Sequence, residues 1–229
     1  RPGLGLPPIY FHTDAVQTVG KIPINVNKLG VDFLSLSGHK FYGPKGVGAV
    51  YVRSGVQVHS LLHGGHHERN RRAGTENVPA IVGLGKAAEL ARGEMQQEYQ
   101  SVLALRDKLE NQIKLRVPQI RINGHPTERL PNTTNISFEC IEGESLLLSL
   151  DIQGIGIAAA TGSACTSGSV VPSHVLLATG IPAEIAQGSL RLSLGRNNTE
   201  EEIDYVAEVL PREVERLRAM SPLWASRPT

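Results

Sequence analysis

Over the first hundred residues, short apolar runs alternate with turn residues. "PPIYF" (7–11), bounded by prolines and by the polar "HTDA", reads as a strand. "VDFLSLS" (31–37) predicts a second strand, and "VGAVYVR" (47–53) a third after the turn "YGPKG". The intervening "AVQTVGKIPINVNKLG" has room for short helical connections, and such a βα order favours a largely parallel sheet. From Glu76 the apolar period becomes helical, with Val82, Leu84, Ala88 and Leu90, then Leu103, Leu105 and Leu109. Gly83 and Gly85 weaken the start of that stretch, which leaves two helices or one bent helix open. After "RVPQIRINGHPTERLPN" the pattern resets. "TNISFECI" (134–141) predicts a strand, "ESLLLSLDIQ" (144–153) a short helix, "IGIAAA" (155–160) a strand and "SLRLSLG" (189–195) a cleanly alternating one. A closing helix follows, with Asn198 as its expected N-cap and Glu201 three residues on. The expected fold class is α/β. Residues 1–94 form part of a mainly parallel-sheet domain, and residues 95–229 a smaller carboxy-terminal α/β domain.

Composition narrows the function classes. The chain has 229 residues, with 23 basic against 22 acidic side chains and a net charge of +1, so nothing demands nucleic acid or an anionic membrane. The basic run "ERNRRAG" (68–74) reads as a solvated loop. Two cysteines, Cys140 and Cys165, make no disulfide framework, and a reducing, cytoplasmic compartment is the expectation. No apolar run reaches the roughly 18 residues of a membrane span. The amino terminus lacks the apolar core of a signal peptide and opens almost directly on a strand. "HGGHHE" (63–68) has metal-like spacing without a second cluster to complete a tetrahedral set, so no metal of its own is expected. "GLGK" (83–86) and "GPKGVG" match no phosphate-loop or nucleotide fingerprint.

Four residues stand out chemically. Lys40 closes the second strand in "LSLSGHK", and Asp14 follows the first strand in the same way, so parallel pairing would bring both to one rim. They read as a salt bridge, or as the amine and carboxylate that pyridoxal phosphate requires for Schiff-base formation and for its pyridinium nitrogen. Cys165 sits in "ATGSACTSGSVVPS" (160–173), a stretch of small, turn-forming residues that buries little, and so reads as a reactive or carrier thiol. Cys140, inside the strand "SFECI", reads as a packing residue. Arg191 interrupts "SLRLSLGR" on the face opposite Leu190, Leu192 and Leu194. It is either solvent-facing or a bidentate clamp for a substrate carboxylate.

Taken in order, "HTDAVQTVGKIPI", "SLSGHKFYGPKGVGAVYV", "RAGTENVPAIVGLGKAAELA", "RLPNTTNISF", "TGSACTSGS" and "SLRLSLGR" resemble the NifS/IscS-like cysteine desulfurases of the class V aminotransferase superfamily. The likeness covers nearly the whole chain and implies the fold-type I pyridoxal phosphate architecture. It implies that Lys40 carries the cofactor, Asp14 pairs with the pyridine nitrogen, and Gln17 approaches the ring oxygen. Ser37 and His39 would sit beside the cofactor phosphate. Thr75 would reach the phosphate of a partner subunit, which implies a homodimer. Cys165 would take the sulfur of L-cysteine as a persulfide, releasing L-alanine, and could also serve as a shared iron–sulfur ligand. Arg191 would hold the substrate carboxylate. The implied partner is a sulfur acceptor or an iron–sulfur scaffold protein.

Family members carry a long portion ahead of the first strand that supplies further cofactor contacts, so a fragment or a complementary amino-terminal polypeptide is expected. Two other readings stay open: a selenocysteine lyase or other class V enzyme, and a non-catalytic module for dimerisation or scaffold binding.

Overall fold

In a computed structural model, the structure describes residues 8–152, 157–161 and 172–226. The chain divides into two compact units, Arg1–Glu98 and Tyr99–Thr229.

In the first unit β1 (His12–Asp14), β2 (Phe33–Ser37) and β3 (Gly48–Val52) form a sheet in that order. β1 and β2 are parallel, with His12 opposite Phe33 and Asp14 opposite Ser35. The link between them holds α1 (Val26–Leu29), capped by Asn25, whose side chain accepts from the amides of Asn27 and Lys28 at 3.0 Å each. β3 returns antiparallel, with Ser37 opposite Gly48. The reason is length: residues 38–47 alone join β2 to β3, and a parallel return needs a crossover of about a dozen residues or more.

The strand expected over 7–11 lies later, at His12–Asp14. Pairing is available only alongside β2: the Phe11 carbonyl accepts from Asp32 and Phe33, and the ladder runs on from there. Ala15, Val31 and Leu34 make one small core, and Phe41, Ala87 and Ala91 another.

Past α2 (His67–Asn70), whose Glu68 and Arg69 have positive φ, a single helix α3 runs from Val78 to Arg116. Its early glycines do not break it. Gly83 is there for contact, since a Cβ at that position would lie 2.6 Å from Cγ of Pro44.

In the second unit β4 (Ile120–Asn123), β5 (Thr133–Phe138) and β6 (Ser189–Ser193) pair antiparallel throughout. The residues 102, 105, 109 and 113 of α3 bring Val102, Leu105, Leu109 and Ile113 to the core of this unit. They meet Phe138 and Ile136 of β5, Leu146 and Leu150 of α4 (Gly143–Ile152), and Ala207 and Leu210 of α7 (Glu200–Met220). The short helices α5 (His174–Ala178), α6 (Ala183–Gln187) and α8 (Pro222–Ala225) complete the described elements.

The cap of α7 falls one residue later than expected. Thr199, not Asn198, is the N-cap, in a reciprocal box with Glu202. The Asn198 side chain is otherwise engaged, accepting from the Gly195 amide and donating to Glu202 at 2.8 Å each. The strand expected over 155–160 falls partly outside the described residues. Its described part makes a single bridge, Ala160 with Arg191.

Arg218 fastens the end of α7. It is buried, its Nε, Nη1 and Nη2 donate to the carbonyls of Glu139, Pro118 and Gln119 at 2.9–3.1 Å, and its guanidinium lies 4.3 Å from the Trp224 ring centre. Arg218→Ala strips three carbonyls of a charged donor and is expected to cost about 3 kcal/mol. For a chain of this size that lowers Tm by roughly 6–12 °C. Arg218→Lys, which lacks the planar fork, recovers only part of the loss. Thermal unfolding followed by circular dichroism checks this, and an unchanged Tm in Arg218→Ala would remove the role.

Candidate functional site

The site is built where β1 and β2 end. Beyond Ser37 the chain enters one 3₁₀ turn, Gly38–Phe41, which carries His39 and Lys40. Tyr42 adopts a left-handed conformation (φ 67°), and the Gly38 carbonyl accepts both its amide and that of Gly43. The Gly38 amide donates to the Val47 carbonyl at 2.9 Å, so the turn is tied at its start as well. Phe41 roots it in the small core, with 3% of its surface exposed. Gly20 lies against that root with φ +80°, and a Cβ there would lie 2.7 Å from Cβ of Phe41. With Phe41 held inward, His39 is left exposed and Lys40 half-buried.

Since the two strands are parallel and Asp14 stands opposite Ser35, Asp14 and the Ser37–Lys40 segment leave the sheet at the same edge. The pairing thus brings the strand ends that carry Asp14 and Lys40 to the same end of the sheet. Asp14 is exposed, and its Oδ1 accepts from the Val16 amide at 2.9 Å, which sets the carboxylate over the turn that follows. Gln17 is exposed on that turn. The Ser37 hydroxyl and Nδ1 of His39 are 2.9 Å apart.

The other expected residues lie elsewhere. Thr75 is exposed on the segment between α2 and α3. Arg191, on β6, belongs to the second unit, is half-buried, and its guanidinium has no hydrogen bond or ion pair among the described residues. Cys165 lies outside the described residues. Cys140 follows β5 with φ +65° and is half-buried.

Two further residues make contacts with these strands and the turn that follows. Nε2 of His12 lies 2.6 Å from the Ser35 hydroxyl, and the ring meets Phe33 edge-on. Strand alternation puts His12 on the face of Asp14, a signal that the sequence did contain. Lys21 donates from Nζ to the Lys40 carbonyl at 3.3 Å. Its burial pulls the ammonium pKa below the usual lysine value, with Lys40 adding in the same direction and Glu98 opposing. No sequence pattern marked it, since "VGKIPI" reads as an ordinary connection.

An amine, a carboxylate and a hydroxyl–imidazole pair at one sheet edge suit a ligand with a reactive carbonyl, a basic ring nitrogen and a phosphate. Lys40 would hold the first, Asp14 the second, and Ser37 with His39 the third. Neither of two cavities formed by described residues is lined by Asp14, Ser37, His39 or Lys40. One, of about 350 Å³, is walled mainly by apolar side chains, among them Val19, Ile22, Leu34, Phe41 and Met95. The other, of about 580 Å³, lies in the second unit beside Cys140, Glu142, Leu217 and Leu223. Among the described residues no cluster of metal ligands occurs, and no helix is long and apolar enough to cross a membrane.

Comparison with known proteins places the chain in a family. The sequence pattern of the family described as aminotransferase class-V matches residues 8–206. A cysteine desulfurase IscS of Methanosarcina thermophila is 61% identical over 215 residues, covering 94% of this chain and 52% of that protein. One from Dictyoglomus turgidum is 54% identical over 214 residues, covering 93% and 54%. Among solved structures, a NifS-like protein from Rickettsia africae superposes with a TM-score of 0.81 at 35% identity, covering 90% of this chain and 54% of that one. The chain thus spans about half the length of the curated relatives it matches.

Proposed function

Because the chain belongs to the aminotransferase class-V family, whose desulfurase members use pyridoxal 5′-phosphate, we propose that it acts in a cysteine desulfurase. The reaction takes sulfur from L-cysteine, leaves L-alanine and passes the sulfur on as a persulfide of Cys165. The observation that carries the reading is the parallel pairing that brings the strand ends bearing Asp14 and Ser37–Lys40 to one end of the sheet, with Ser37 and His39 2.9 Å apart.

Pyridoxal phosphate, when bound, supplies an electron sink for the bonds at Cα of an amino acid. Lys40 would hold its carbonyl carbon and, once displaced by substrate, move the Cα proton. Asp14 would keep a proton on the ring nitrogen, Gln17 would approach the ring oxygen, and Ser37 and His39 would bind the phosphate. Thr75 would reach the phosphate bound in a partner subunit, in a cytoplasmic homodimer. The Cys165 thiolate would attack the substrate sulfur, so that an S–S bond forms as the C–S bond breaks. The acceptor is then a sulfur-carrier or iron–sulfur scaffold protein, with Cys165 also fitted to share a cluster.

Exposed Ile9, Tyr10, Phe11 and Val50 of the first unit support a complementary polypeptide lying against its sheet. The test is to purify the chain with any polypeptide that accompanies it, add pyridoxal phosphate and L-cysteine, and follow alanine and persulfide. Alanine in step with persulfide at Cys165 is expected. Turnover of selenocysteine alone would replace the substrate, and turnover of neither would overturn the reading.

Arg191 would pair with the substrate carboxylate. A charge-assisted pair is worth about 1.5–3 kcal/mol, so Arg191→Ala is expected to raise KM for L-cysteine roughly tenfold to a hundredfold. Steady-state kinetics check it. An unchanged KM would make Arg191 a structural partner of the Ala160 bridge only.

A further inference from the structure

The left-handed turn at Tyr42 leaves one main-chain group of the Lys40 segment without its ordinary partner. In a 3₁₀ turn the Lys40 carbonyl would accept from Gly43, three residues on. With φ of Tyr42 at 67°, the chain doubles back and the Gly43 amide goes to Gly38 instead, at 2.9 Å. A half-buried carbonyl at the end of a turn needs a donor. The donor is Nζ of Lys21, 3.3 Å away.

Lys21 is itself braced. Gly20, one residue before it, abuts Phe41 of the same turn. Glu98 of α3 supplies the opposing charge and accepts from the Tyr42 hydroxyl at 3.1 Å. One acid thus serves both the lysine behind the turn and the left-handed residue that shapes it. Lys21 spends its ammonium on the main chain of Lys40, and its burial and depressed pKa accord with that fixed, half-dry position.

We infer that Lys21 is a positioning residue that fixes the backbone from which Lys40 presents its amine to the cofactor. The inference rests on the reading of Lys40 as the cofactor-bearing lysine and adds a residue that acts on it from behind. A donor at the Lys40 carbonyl sets where Cα, and so the whole side chain, sits relative to Asp14 and Ser37. Small misplacements of a reacting group cost far more in rate than in stability.

The experiment uses the chain with any accompanying polypeptide, in wild-type form and as Lys21→Met, Lys21→Arg, Glu98→Gln and Lys40→Ala. Each is mixed with pyridoxal phosphate. The readouts are the cofactor Kd by absorbance, the rate at which the lysine linkage forms, and the residue labelled after borohydride reduction. Lys21→Met, which keeps the apolar stem, is expected to lose one charge-assisted hydrogen bond and to slow linkage at Lys40 about tenfold. Its Tm should fall by only a few degrees. Lys21→Arg restores most of the rate, and Glu98→Gln shows a smaller loss in the same direction. A Lys21→Met protein that forms the linkage at the wild-type rate and affinity overturns the positioning role while leaving Lys40 as the cofactor lysine. A Tm loss that Lys21→Arg cannot offset, with no separate effect on linkage rate, also overturns it. If wild-type protein is not labelled at Lys40, the reading of the site fails first and this inference with it.

Discussion

Lys40→Ala is expected to abolish production of alanine from L-cysteine and to leave no residue to be labelled by reduction in the presence of pyridoxal phosphate. A side chain proposed both to hold the cofactor carbon and to move the Cα proton cannot be spared, and loss of proton transfer alone lowers rate about 10²–10⁴-fold. The fold should survive, because Lys40 is half-buried on a turn whose anchor is Phe41 and whose closing bonds are made by the backbone of Gly38 and Gly43. Near-wild-type circular dichroism with no alanine is therefore expected. Full turnover by Lys40→Ala would end the assignment of the amine, whatever the family.

Cys165→Ala is expected to separate cofactor binding from sulfur release. The variant should bind pyridoxal phosphate and L-cysteine like the wild type, since none of Lys40, Asp14, Ser37, His39 or Gln17 is changed. Sulfur transfer should stop, because a methyl group offers no nucleophile to the substrate sulfur. Peptide mass spectrometry after reaction with cysteine provides the check, with the persulfide on Cys165 in the wild type and none in the variant. Persulfide on Cys140 would transfer the role to the half-buried thiol that follows β5.

Local pattern was a good guide where one interaction decides the outcome. Alternation in "SLRLSLG" predicts β6, and Leu190, Leu192 and Leu194 are indeed buried while Ser193 is exposed. It fails at Ser189, which the alternation assigns to the polar face and the structure buries. The helical period after Glu76 is real and runs through Gly83 and Gly85 in one helix, and Gly83 lies against Pro44, more than thirty residues away in sequence. The cap of α7 moved from Asn198 to Thr199 because Asn198 found Gly195 and Glu202 as partners. Competition of that kind between neighbouring capping residues cannot be ranked from side-chain type alone.

For the site, residue type and strand-end position sufficed to single out Lys40 and Asp14, because a charged group closing an apolar strand needs a reason. The parallel register that brings them to one edge came from tertiary pairing of β1 with β2. His12 was within reach of the same alternation argument. Lys21 was not. Its value lies in one carbonyl left open by the positive φ of Tyr42, and backbone conformation at a non-glycine residue is set by packing around it. The sequence by itself thus determined the α/β class, the family and the chemical inventory, since these reside in residue types and their order. Only the tertiary structure decided strand direction, the continuity of α3 and the brace behind Lys40, because each depends on which distant groups compete for the same backbone donors, acceptors and space.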